Sequence, residues 1–342
     1  MDLMPSDDQR SIISSVRELL TEQLPTSRVR ELAGVDLAEL QLFWKQAAEL
    51  GWFGLGLSEE LGGTGYDLAD EALLFREIGR FVTPGPILAT VLGARVAALG
   101  GDPDLAQQLL SGEAQAALAV PVRGQSLEIG TQVRGEVILV DAAHAGHVLV
   151  VDPSGAALVP VSAVSDRRPG TPIDDVGTRE FATIDGTAAA YVDRATEDVH
   201  QRGQVLTAAV LVGISEGTRD MSTEHAKTRE QFGKPIGVNQ AIKHRCADMA
   251  VAADAALNQL LFAALSALEK REDAAFQVAS ARIVAEQAAL TNSRATIQVF
   301  GGMGFTAECD AHLYLKRTHV LGETFGGLRG AQVALLELPA AQ

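Results

Sequence analysis

The sequence predicts a mainly α-helical protein with a small β domain in the middle of the chain. Apolar residues recur at helical spacing on both flanks. Between about Glu113 and Val199 the texture changes to short β-branched runs broken by Gly, Asp and Pro. Two long helical patterns are joined by the stretch Thr228 to Gln240, whose Gly and Pro residues make a short turn. That turn holds Arg229 and Gln240 where both can face one ligand, and an Arg so placed can grip an anion.

With 342 residues the chain has room for two or three domains with buried cores. Asp and Glu number 44 against 28 Lys and Arg, a net charge of −16, which argues against a nucleic-acid partner. Any bound phosphate must meet a local basic cluster, and Arg219, Lys227, Arg229, Lys234, Lys243 and Arg245 form the densest one. Cys246 and Cys309 are too few and too unpatterned for a disulfide framework or a zinc site. His225, His244 and the pair His312 and His319 fall on three predicted helices without metal spacing, and no nucleophile elbow or triad is visible. The stretch Met1 to Asp8 starts acidic, unlike a signal peptide, and no uncharged apolar run reaches the roughly 18 residues of a spanning helix. A cytoplasmic protein that does not span a membrane is expected.

Taken in order, Ser6 with Gln9 makes a capping box ahead of Ile12, Ile13, Val16, Leu19 and Leu20, and the helix should stop at Pro25. A second box, Asp36 with Glu39, precedes Leu40, Phe43, Trp44, Ala47 and Leu50, with Gly51 as the stop. The glycine-rich run Gly54 to Gly65 lacks both a Gly-Lys-Ser/Thr ending and a G-x-G-x-x-G after a strand, so a structural loop is expected. Leu74, Phe75, Ile78 and Phe81 mark a further helix, and helical sequence runs on to about Gly112. Strands are expected around Leu118–Val122, Val137–Val140, His147–Val151 and Ala157–Val161. Helices then follow at about 204–228, 239–268, 273–300, 309–319 and 327–337, the first three forming most of an antiparallel bundle. The expected domains are 1–112, helical; 113–199, β; and 200–342, a helical bundle.

Two motifs carry a resemblance. Arg229-Glu230-Gln231-Phe232-Gly233 with Gln240 reads R-x-Q-F-G…Q, and Gln298 to Phe305 reads Q-x-x-G-G-x-G-F at the end of a later helix. Together, in a C-terminal helical region, they resemble the acyl-CoA dehydrogenase family. Glu59-Glu60-Leu61-Gly62-Gly63 also resembles its P-E-E-x-G-G segment, and the order α domain, β domain, α bundle matches its architecture over essentially the whole chain. The resemblance implies FAD as cofactor and an acyl-CoA substrate. It further implies that Arg229, Gln231, Phe232, Gln240, Gln298, Gly301 and Gly302 hold the diphosphate and adenosine end of a flavin from across a subunit interface.

The family's catalytic base is a glutamate that removes the α-proton while the flavin takes a hydride from the β-carbon. Counting from Gly301, its position falls in Thr324-Phe325-Gly326-Gly327, at Phe325. A minority of members carry the base upstream, at the position of Gly203 here. Neither residue is a carboxylate. Nor does the stretch Val120 to Ser126 match the family's T-E-x-x-x-G-S flavin loop, and its W-I-T/S strand has no Trp here. The resemblance narrows to short, base-less subunits of steroid side-chain acyl-CoA dehydrogenases. It implies a non-catalytic half-site subunit that completes the FAD site of a homologous catalytic partner in an α2β2 assembly. The alternatives are a self-sufficient dehydrogenase using Glu323, and a flavin-free scaffold of the same fold.

Overall fold

The computed structural model describes residues 3–338, so Met1 and Asp2 of the acidic start lie outside the described residues. Helix α1 (Asp7–Gln23) begins on the expected capping box: Ser6 Oγ accepts the Gln9 N–H, and the Gln9 side chain accepts the Ser6 N–H. A short α2 (Thr26–Glu31) follows Pro25. Asp36 caps a 3-10 turn, Leu37–Leu40, instead of the helix proper, and α3 (Gln41–Glu49) starts after it. Gly51 is left-handed at φ 76°, the conformation a helix stop requires. In the loop after it a Cβ on Gly63 would stand 2.1 Å from the Leu57 carbonyl oxygen, so close packing demands glycine there. Helices α4 (Leu68–Arg80), α5 (Ile87–Leu99) and α6 (Pro103–Leu110) complete the N-terminal region.

Seven strands come next: β1 (Ala116–Pro121), β2 (Gln132–Val140), β3 (His147–Asp152), β4 (Gly155–Pro160), β5 (Val164–Pro169), β6 (Arg179–Thr187) and β7 (Ala190–Asp193). They form one sheet in the order β5-β6-β2-β1-β3-β4-β7, with β1 and β3 parallel and every other pair antiparallel. β3 and β4 are almost continuously buried, whereas β2 alternates and sends Val133, Val137 and Leu139 into the sheet's core. The four runs picked out in the sequence fall on the first four strands, and β5 to β7 lie within the same expected β region. β5 reads Val-Ser-Asp-Arg-Arg-Pro and lies largely exposed at the sheet edge, where no apolar alternation is needed.

The C-terminal region holds α7 (Val199–Thr228), the hairpin strands β8 (Glu230–Gln231) and β9 (Lys234–Pro235), then α8 (Gln240–Leu268), α9 (Ala274–Phe300), α10 (Ala311–Leu321) and α11 (Gly327–Glu337). By its contacts the chain divides into a unit of Leu32–Glu71 with Pro84–Gln204 and a unit of the residues up to Glu31, Ala72–Thr83 and those from Val205 onward.

Within the second unit Asn292 ties three helices: its Nδ2 donates to the Ser215 carbonyl and hydroxyl (3.1 and 2.8 Å) and to the Met249 carbonyl (3.0 Å). By length and composition alone α8 passes for a membrane-crossing helix, as buried bundle helices also do. In the fold it lies along α9, burying Met249, Ala253, Ala256, Leu260 and Leu261 as a bundle helix does.

Candidate active and cofactor site

The stretch expected to be a simple turn between helices is a tight β-hairpin. Glu230 and Gln231 pair with Pro235 and Lys234, and the two residues between them, Phe232 and Gly233, have φ of 53° and 72°. Positive φ at both central positions matches the twist of antiparallel strands, but it is costly for an aromatic residue, on the order of 1–2 kcal/mol. Phe232 is moreover fully exposed, at 101%. The ring is therefore not packed into a core of this chain. An exposed, strained Phe contributes nothing to this chain's own packing, and such residues concentrate at functional sites.

Arg229 sits where α7 runs out, its N–H on the His225 carbonyl (2.9 Å) and its carbonyl accepting from the Ile236 N–H (2.8 Å). Its side chain is exposed and forms no ion pair among the described residues, unlike Arg219 and Lys227 of the same basic cluster, which pair with Asp220 and Glu224. Gln231 and Gln240, which follow it in the chain, are exposed too.

His225 is the link that the sequence reading passed over. Its ring stacks on Phe300, the last residue of α9, with centroids 3.9 Å apart and planes 14° from parallel. Burial, and secondarily the Arg229 charge, hold this imidazole below its usual range, so the stacked ring is neutral at pH 7. The stack joins the end of α7 to the end of α9 and so brings the Arg229 hairpin to the same end of the bundle as Gln298, Gly301 and Gly302. Only the pairing of an aromatic with a His on separate helices could have signalled it, and that pattern is not specific.

Gln298, Gly301 and Gly302 are all exposed. A Cβ on Gly301 or Gly302 would meet nothing of this chain within 4 Å, although Gly301 is held at φ 64°. Gly304 of the same motif differs: a Cβ there would lie 2.6 Å from the Ile297 carbonyl oxygen, so its role is internal packing. The set consists of one guanidinium, three carboxamides and two glycines with open backbone. Those donors fit the anionic diphosphate of a dinucleotide.

At the position where counting from Gly301 expects the family's base stands Phe325, buried at 6% and left-handed at φ 49° and ψ 43°. Gly326 and Gly327 continue at positive φ, and a Cβ on Gly327 would stand 2.0 Å from the Gly322 carbonyl oxygen. Beneath the turn, fully buried Arg282 donates to the Leu321 carbonyl (2.7 Å) and pairs with Glu286 (3.2 Å). Burial lowers the Arg282 pKa to about 10 and raises that of Glu286. Glu323 is exposed, so its carboxylate is not held dry by this chain. Gly203, at the upstream base position, lies inside α7.

At the other half of the expected flavin site, β1 ends at Pro121 and Val122 to Gln125 closes a tight turn through the Gln125 N–H on the Val122 carbonyl (2.9 Å). Both tryptophans, Trp44 and Trp52, precede the sheet, so no strand carries one. The exposed donors described above have the chemistry to hold the phosphate end of FAD, whereas this turn does not carry the T-E-x-x-x-G-S sequence expected of the isoalloxazine loop. Among the described residues no group of His, Cys, Asp and Glu is arranged to hold a metal ion.

The family model for the acyl-CoA dehydrogenase N-terminal domain matches residues 6–116, and that for its C-terminal domain matches residues 192–334. Acyl-CoA dehydrogenase FadE34 of Mycobacterium tuberculosis is 32% identical over 82% of the chain, which spans only 39% of that longer relative. Two solved structures superpose with TM-scores of 0.86: the Tcur3481-Tcur3483 steroid ACAD variant (23% identical, 97% of each chain) and the ChsE4-ChsE5 complex from Mycobacterium tuberculosis (22% identical, 99% of this chain and 100% of that one). Acyl-CoA dehydrogenase IpdE2 of Mycobacterium tuberculosis is 31% identical over 93% of this chain and 92% of its own. On that match along nearly its whole length, the chain belongs to the acyl-CoA dehydrogenase family.

Proposed function

We infer that this chain is a half-site subunit of an FAD-dependent acyl-CoA dehydrogenase. Members of the family are flavoproteins. In this reading the chain's three domains are 1–112, 113–199 and 200–342. Arg229, Gln231, Phe232, Gln240, Gln298, Gly301 and Gly302 grip the diphosphate and adenosine end of an FAD whose ring is held by a homologous catalytic subunit, in an α2β2 cytoplasmic complex. When bound, FAD supplies the hydride acceptor for α,β-dehydrogenation of an acyl-CoA. Arg229 would neutralise and orient the diphosphate, and Phe232 would bury its exposed ring against the partner side of the interface.

The observation that supports the reading is a contrast in burial: the residues proposed to grip FAD are exposed, while Phe325, at the position counted for the base, is buried. The names of the structural neighbours, a two-component steroid ACAD and a two-component complex, support a heteromer acting on a bulky steroid side-chain acyl-CoA. Co-expression with candidate partners tests it. The chain alone should purify colourless or insoluble and become yellow in the complex, whereas a yellow, active chain alone would overturn the reading.

The rival, self-sufficient dehydrogenase needs Glu323 as its base. A general base contributes roughly 10²–10⁴-fold to the rate. Because Glu323 is exposed beside a filled seat, Glu323→Gln should leave turnover of the reconstituted complex within a few fold. A loss of hundredfold or more would restore the self-sufficient reading.

A further inference from the structure

Where the end of α7, strand β9 with the turn after it, and the start of α8 come together, they leave a groove of about 420 Å³, within the usual range for small-molecule sites. None of its lining residues belongs to the flavin grip or the base position. Ala226, Pro235, Val238 and Ile242 give it apolar walls. A Cβ on Gly237 would stand 2.8 Å from the Ala226 carbonyl oxygen, so the turn rests backbone to backbone on α7 and the groove is shaped before any ligand arrives. Its walls are within reach of a solute: Val238 is 50% exposed, and Pro235 and Ile242 are half-buried.

The charges of the lining indicate which ligand fits. Lys227 and Lys243 line the groove and no carboxylate does. On a chain of net charge −16 this is a local reversal of sign, which an anion meets only at close range. Lys227 is already paired with Glu224 at 2.6 Å. Lys243 is exposed and has no ion pair among the described residues. Its ammonium is a compact point charge that can meet a carboxylate without the forked geometry of a guanidinium. An anion with no apolar part would leave the walls uncovered, and a neutral apolar solute would leave the ammonium unused.

We propose that this groove binds a small amphipathic anion, an aliphatic carboxylate whose tail lies along Ala226, Pro235, Val238 and Ile242 and whose head pairs with Lys243. The inference does not depend on the flavin reading. Octanoate is the probe, with butanoate and hexanoate as shorter tails and octylammonium as the oppositely charged counterpart. On the full chain, co-purified with its partner and saturated with FAD where the two assemble, ligand-observed NMR and calorimetric titration should give saturable octanoate binding at millimolar concentration. Affinity should rise about two- to fourfold for each methylene added from butanoate to octanoate. Octylammonium should bind at least about tenfold more weakly. Lys243→Gln should weaken octanoate about five- to tenfold, the equivalent of one charge-assisted contact. Val238→Asp, which puts a like charge on the wall, should give a similar loss. Both changes are at exposed positions, where substitutions leave the fold intact. No saturable binding, an affinity independent of tail length, equal binding of octylammonium, or octanoate affinity unchanged in both variants would each overturn the proposal.

Discussion

Arg229→Ala is expected to weaken FAD binding by the assembled complex ten- to a hundredfold. Its guanidinium is exposed, forms no ion pair among the described residues and stands at the bundle end that also carries Gly301 and Gly302. A hydrogen bond to a charged group contributes about 1.5–3 kcal/mol, and each 1.4 kcal/mol is about tenfold in affinity. Arg229→Lys should recover only part of the loss, because an ammonium cannot reproduce a forked contact to phosphate. The fold should be indifferent to either change, since exposed substitutions without partners shift stability by less than about 0.5 kcal/mol. Titration of FAD into the apo-complex and its Arg229→Ala form decides the matter. Equal dissociation constants would remove the strongest residue-level support for a shared flavin site.

The second large effect concerns stability. Gly213 lies in the interior of α7, and a Cβ there would come within 1.9 Å of the Arg76 carbonyl oxygen and 2.7 Å of the Arg80 nitrogen. On α4, Gly79 meets the same seam from the other side, its Cβ position 2.0 Å from the Val210 carbonyl oxygen. Backbone packs on backbone here, so no rotamer change can relieve an added methyl. The seam is also crossed by ion pairs of low exposure, Arg76 to Glu216 at 2.7 Å and Arg80 to Glu216 at 3.1 Å, and by a more exposed pair of Arg80 with Asp220. Prying the helices apart would break these as well, and breaking a buried pair costs about 3–5 kcal/mol.

Gly213→Ala should therefore destabilise the chain by more than about 3 kcal/mol, at the severe end of overpacking. Gly330→Ala on α11, where a Cβ would meet nothing within 4 Å, is the control and should stabilise by about 0.5–1 kcal/mol through helix propensity. Urea melts of both variants measure this. A Gly213→Ala protein as stable as the parent would show that the two helices do not touch as described.

The sequence by itself determined the helices of the C-terminal region to within a few residues, because a long apolar stripe at helical spacing followed by Gly or Pro permits little else. α8, α9 and α11 begin at Gln240, Ala274 and Gly327, close to the expected 239, 273 and 327, while α7 starts earlier than expected, at Val199. It also determined the family, since the two glycine motifs stand at fixed spacing in the chain. Tertiary structure alone decided the rest. Whether Phe232 turns inward or outward depends on what surrounds a hairpin, and no local pattern encodes that. Gly213 reads in sequence as a weak helix former, yet it allows two backbones to touch; the difference lies in a neighbour more than a hundred residues away along the chain. That Phe325 falls at the expected base position could be counted from the motif, whereas the burial of that ring and the exposure of Glu323 are properties of the turn above Arg282, which no spacing rule contains.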